Sequence, residues 1–136
     1  MLRLIVPTLT LLLAVPFCAQ AASKQDYELS KMLEKVAAES SVGTPRAINE
    51  NILDQGYTVE GKELIDHLSV LESHAVQMRE NPDAVRNQLG SSVCNNDGFR
   101  QLMARGALLK YEFTEYKTNR AVATHVFRAS DCKMKK

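Results

Sequence analysis

Three cysteines and three histidines are the side chains of this sequence best suited to chemistry: Cys18, Cys94 and Cys132, and His67, His74 and His125. Cys18 lies in an apolar leader, which leaves Cys94 and Cys132 as an even pair. Redox pairs of the familiar kind are spaced C-x-x-C, and zinc sites need further ligands at short spacing. Neither pattern is present, so the pair reads as a structural disulfide closing a loop of about 39 residues, worth roughly 4 kcal/mol on the chain-entropy model. Asp66-His67 and Glu72-Ser73-His74 gather ionisable groups within nine residues. On a helix, His67 and His74 would share a face seven residues apart. That spacing lacks the i, i+4 arrangement of zinc hydrolases, and no H-E-x-x-H occurs. His125 falls inside an alternating apolar segment, where a sheet-face histidine is expected.

Other chemistries find less support. The sequence has no G-x-S-x-G elbow for a serine nucleophile, no G-x-G-x-x-G and no phosphate-cradling P-loop. Carboxylates are plentiful, but a glycosidase pair meets only in the fold and cannot be picked by spacing. Trp is absent and Tyr plus Phe number only eight, which argues against a carbohydrate-stacking platform. We expect a protein without enzymatic activity, cofactor or metal. The alternative is a small secreted hydrolase, for which a metal held by the 66–74 cluster is one route to chemistry.

The elements that would position these residues follow from periodicity. Residues 24–39 place Leu29, Met32, Leu33, Val36 and Ala37 on one helical face, with Ser23 as cap and the 40–45 stretch as stop. Residues 46–71 fit two patterns. Tyr57-Thr58-Val59 and Lys62 to Val70 flank Glu60-Gly61 as a hairpin, with Leu64, Asp66, Leu68 and Val70 on one face. Alternatively Leu64, Leu68, Leu71, Ala75 and Met78 fit a helix from Gly61 to Glu80; the hairpin is preferred. Asn81-Pro82-Asp83 opens a helix that Gly90 should end. Asp97 should cap a helix over 98–105, stopped by Gly106. Residues 107–116 alternate, with Leu109, Tyr111 and Phe113 on one side; 117–120 turn, and 121–129 return as a strand.

These elements predict one α+β domain: a four-stranded antiparallel sheet of two hairpins, packed with three or four helices and carrying one disulfide. The last hairpin has a second apolar face bearing Leu108 and Tyr116. Either another helix covers that face or it is open to a partner, in which case Leu108 and Tyr116 are the candidate contacts.

Arg3, the apolar run Leu4 to Phe17 and Ala19-Gln20-Ala21 have the pattern of a secretory signal peptide. The run is too short for a membrane span and holds Pro7 and Pro16. Residues 1–21 are therefore expected to be removed, leaving 22–136 as a single domain, secreted or periplasmic and without a membrane anchor. Loss of Arg3 leaves 16 Lys and Arg against 16 Asp and Glu, so the mature chain is neutral. A neutral chain without a basic stripe argues against nucleic acid as partner. Residues 133–136 read as a solvated basic tail.

With that layout in place, a resemblance appears. The segment Ser92-Val93-Cys94-Asn95-Asn96-Asp97-Gly98-Phe99-Arg100, then Arg105-Gly106-Ala107, Tyr111-Glu112-Phe113 and Ala129-Ser130-Asp131-Cys132 carry it. The chain resembles small secreted bacterial proteins described as quorum-sensing-regulated virulence factors. The resemblance covers essentially the whole mature chain and implies export and a role in virulence or secretion through a protein partner, host or secretion-related. It carries over no catalytic residue, since that family has no determined biochemical activity. The layout is also similar to that of type II secretion pilotins, small α+β proteins with a cysteine pair framing helix and hairpin. Pilotins of that kind are lipid-anchored, whereas the Phe17-Cys18 junction departs from the lipobox.

Overall fold

The computed structural model describes residues 17–132, with side chains described from Lys24 onward. Most of the expected signal segment and the 133–136 tail lie outside the described residues. Helix α1 runs Phe17–Ser40, so it begins before the expected start and Ser23 lies within it instead of capping it. Leu29, Leu33 and Ala37 recur every four residues and are buried, with Met32 and Val36 beside them, as the stripe predicts.

After a turn come β1 (Arg46–Ala47), β2 (Ile52–Glu60) and β3 (Glu63–Val70). The β2–β3 hairpin turns at Gly61, as expected, and the strand assignment of 62–70 holds. The helical alternative was correct only for its second half, because α2 occupies Glu72–Glu80. Helix α3 (Pro82–Cys94) and α4 (Asp97–Ala104) follow, then β4 (Leu108–Glu115) and β5 (Ala121–Phe127). Strand β5 ends two residues before the expected Ala129, and Ala129–Cys132 forms a 3-10 turn.

Two helix boundaries differ from expectation for visible reasons. Gly90 does not end α3. A Cβ there would stand 3.2 Å from the Phe127 ring, so this glycine allows close approach of helix and strand rather than a stop. Asn96, not Asp97, caps α4, its side-chain oxygen accepting from the Phe99 amide at 3.0 Å.

The expected four-stranded antiparallel sheet is instead five-stranded and mixed, ordered β1-β2-β3-β4-β5. Strands β3 and β4 pair in parallel, from Glu63 opposite Leu108 to Val70 opposite Glu115. The cause is the connection between the hairpins. Three helices between Val70 and Leu108 carry the chain back to the starting end of β3, and such a crossover delivers a parallel strand. The short β1 had no periodicity to announce it.

All helices described lie toward one sheet face. That inner face presents Leu64, Leu68 and Val70 of β3, Leu109, Tyr111 and Phe113 of β4, and Phe127 of β5. They meet Leu29 and Leu33 of α1, Ala75 and Met78 of α2, Val93 of α3, and Leu102 and Met103 of α4 in one core. Tyr111 and Phe127 pack edge to face, their centroids 6.1 Å apart. The expected disulfide is present: Cys94 at the end of α3 is bonded to Cys132 in the 3-10 turn, with their Cα atoms 5.5 Å apart.

Candidate functional site

Strand alternation sends successive side chains to opposite sheet faces, and that rule disperses the 66–74 cluster. Asp66 points inward, His67 outward, and His74 lies on α2. Among the described residues, no group of three His, Cys, Asp or Glu side chains could hold a metal ion. The 66–74 cluster therefore does not assemble the metal site that a metal-dependent hydrolase would use there. His125 also faces inward, opposite Tyr111. Burial, reinforced by the positive charge of Arg86, holds its imidazole below the usual range.

No described helix covers the outer face of the sheet; α1 docks on the inner one. Its centre is polar. His67 Nδ1 lies 3.5 Å from Glu112 Oε1, and His67 Nε2 is hydrogen-bonded to Thr58 Oγ1 at 2.7 Å. Lys110 Nζ reaches Glu112 at 3.3 Å and Glu63 at 3.9 Å. Exposed pairs of this kind contribute little each, about 0–1 kcal/mol; together they fill the middle of the face with charge.

Leu108 and Tyr116 bracket this polar strip from opposite ends of β4. Lys110, Glu112 and Thr114 stand between them on the same face, so the two candidates do not form one patch. Leu108 is half-buried. Tyr116 is different. Its amide donates to Val70 O at 2.8 Å, extending the ladder, while its side chain stays 46% exposed. Beside it is a hollow of about 180 Å³ lined by Ala47, Ile52, Leu53, Ser69 and Leu71. Leu71 and Ile48 add further exposed apolar surface at this corner.

The inner face holds two polar features that no sequence motif marks. Glu115 is buried, and Arg79 Nη1 meets its Oε2 at 2.8 Å while Thr118 Oγ1 donates to Oε1 at 3.1 Å. The hydrogen bond from Arg79 holds this carboxyl below its usual range. Arg79 also donates to Ala121 O at 2.7 Å, so one guanidinium ties α2 to both strands of the last hairpin. The second feature is a buried carboxyl pair, Asp54 and Asp66. Asp66 and Glu115 both occupy the apolar phase of their strands, and that was the available signal. Asp54 gave none, because a register shift between Asp54 and Gly56 breaks the alternation of β2.

Helices on one side of a mixed sheet, with one disulfide joining the helical layer to the chain end, define a small two-layer α+β domain. The chain belongs to the family described as "Putative quorum-sensing-regulated virulence factor", whose model matches residues 22–133. It is similar to a crystal structure from Pseudomonas aeruginosa described as a "putative secreted protein", at 72% identity and a TM-score of 0.79. That match covers 80% of this chain and 96% of the other. Two type 2 secretion system pilotins share the fold. The Vibrio vulnificus protein is 12% identical with a TM-score of 0.69, covering 82% of this chain and 97% of its own. The Vibrio cholerae protein is 14% identical with a TM-score of 0.67, covering 82% and 99%. No curated protein matches the chain in sequence.

Proposed function

We propose that the protein is exported, to the periplasm or beyond, and acts without catalysis by binding another protein in virulence or secretion. The observation that carries this reading is the Tyr116 corner: an exposed aromatic beside an apolar hollow, on a sheet face that no described helix covers. Tyrosine offers a large contact area at low entropic cost and is enriched among residues that dominate binding energy. Export is supported by the leader pattern in residues 1–21 and by the description of the 72% identical relative as secreted. The family match begins at residue 22, directly after Ala19-Gln20-Ala21. A role beside the secretion machinery draws on the fold shared with the two pilotins. Binding of this kind requires no cofactor, nucleic acid or membrane anchor.

Tyr116→Ala tests the reading. Removing a side chain this exposed should leave the thermal midpoint nearly unchanged, within the about 0.5 kcal/mol typical of surface substitutions. Affinity for a partner captured on the mature chain should fall tenfold or more, the loss expected of a central aromatic contact. Unfolding of the variant would place Tyr116 in the core, and unchanged capture would remove it from the interface; either result defeats the proposal.

A further inference from the structure

Asp54 and Asp66 are only 3% and 4% exposed, on neighbouring strands of the inner face. Asp66 stands opposite Tyr57 of β2 and Tyr111 of β4, while Asp54 pairs with Leu68, the next inward residue of β3. The two carboxyls are thus diagonal neighbours across the β2–β3 ladder. They differ in how they are held. Asp54 Oδ1 accepts from the Gly56 amide at 2.8 Å, a bond that closes the bulge in β2. Asp66 Oδ1 is buried with no hydrogen-bond partner among the described residues.

The surroundings offer little compensation for a second negative charge. Above the pair, α1 turns Leu29, Leu33 and Ala37 to the sheet and its charged residues to solvent. From β1, Arg46 acts on Asp66 from an exposed position, its guanidinium already donating to Val42 O at 3.2 Å. On β5, His125 stands behind Tyr111 and is held toward its neutral form. Burial first, then the facing Asp54 carboxyl, push Asp66 from 3.8 up to about 8, against the opposing pull of Tyr57 and Arg46.

The bulge is also the neighbour of the Tyr116 hollow. Ile52 and Leu53, which line the hollow, directly precede Asp54. On the other side, Gly56 has φ +113 and packs so closely on the 41–44 turn that a Cβ would meet Thr44 Oγ1 at 3.1 Å. Ser41 Oγ accepts from the Tyr57 amide at 2.8 Å. The bulge is therefore fastened to the 41–44 turn at its Gly56–Tyr57 end and borders the hollow at its other end, with the carboxyl pair beneath it.

We propose that the Asp54–Asp66 pair is a proton-controlled latch: a proton on Asp66 keeps the β2 bulge closed, and its loss favours opening of the bulge beside the Tyr116 hollow. In the closed form Asp66 keeps its proton up to about pH 8, whereas the opened strand releases it near the ordinary value for aspartate. Opening therefore becomes about tenfold easier per pH unit between about pH 4 and pH 8, and stops changing above that. This inference does not depend on whether the hollow binds a partner.

Hydrogen exchange at the Gly56 and Tyr57 amides, corrected for intrinsic rates, tests it. Between about pH 5.5 and 7.5 the opening constant should rise about a hundredfold in the unaltered protein and stay flat in Asp66→Asn. Equal pH dependence in both proteins would overturn the latch, as would its absence in the unaltered one. Carbon-13 titration of the aspartate carboxyls in the unaltered protein needs no variant to fold. One carboxyl titrating near 8 supports the latch, and all of them titrating in the ordinary range overturns it.

Discussion

Cys94→Ser should destabilise the folded domain by about 4 kcal/mol, the loop entropy that the bond removes from the unfolded chain. For a domain of this size, that corresponds to a thermal midpoint lower by on the order of 15 °C. The bond between Cys94 and Cys132 is separated by 38 positions in sequence and ties the end of α3 to the turn after β5. That turn is otherwise held by few contacts: Asp131 Oδ2 accepts from the Arg128 amide at 2.9 Å, and Arg86 approaches Asp131 at 3.6 Å. The folded state of the variant should keep its core, because Phe127 and Val93 pack in the apolar cluster shared by the sheet and all four helices and not against the bond alone. Thermal unfolding with and without reductant, alongside Cys94→Ser, measures the difference. Reductant should move the unaltered protein to the midpoint of the variant and leave the variant unmoved. A midpoint insensitive to both changes would show that the bond restrains nothing.

Leu33→Ala should cost a comparable 2–5 kcal/mol by a different mechanism. Leu33 has no exposed surface and is central to the stripe by which α1 docks on the sheet. Truncation removes its transfer free energy and leaves a cavity that the rigid sheet cannot fill. Tyr27 on the same helix is 63% exposed, so Tyr27→Ala gives the matched control, with a change near zero. Denaturant unfolding of the three proteins measures both effects. Because Ala is the better helix former at both positions, equal loss in the two variants would contradict docking through Leu33 as the main contribution of α1.

Much of this architecture was legible because local periodicity and tertiary burial agree. The Leu29-Leu33-Ala37 stripe, the Glu60-Gly61 turn and the alternation of Leu109, Tyr111 and Phe113 each carry their burial in the spacing of their own residues. Strand direction was not legible in that way. Whether β4 runs with or against β3 depends on the net path of three helices, which no local pattern states. Gly90 shows a related limit: within the helix it resembles a stop, and only the Phe127 ring packed against it explains the continuation. The site divides along the same line. Tyr116 was found from its phase in the strand, whereas its hollow is assembled from three separate segments. The carboxyl pair was half visible, since Asp66 interrupts an apolar face but Asp54 is displaced by a bulge.

The most direct test of the binding reading places a photo-crosslinking residue at position 116 in cells that produce the protein. Thr124, on β5 opposite Glu112 and away from the hollow, supplies the control position. One discrete protein adduct from position 116 and none from 124 is the predicted result. No adduct at 116, or the same adducts from both positions, would contradict the assignment of the Tyr116 corner as the contact surface.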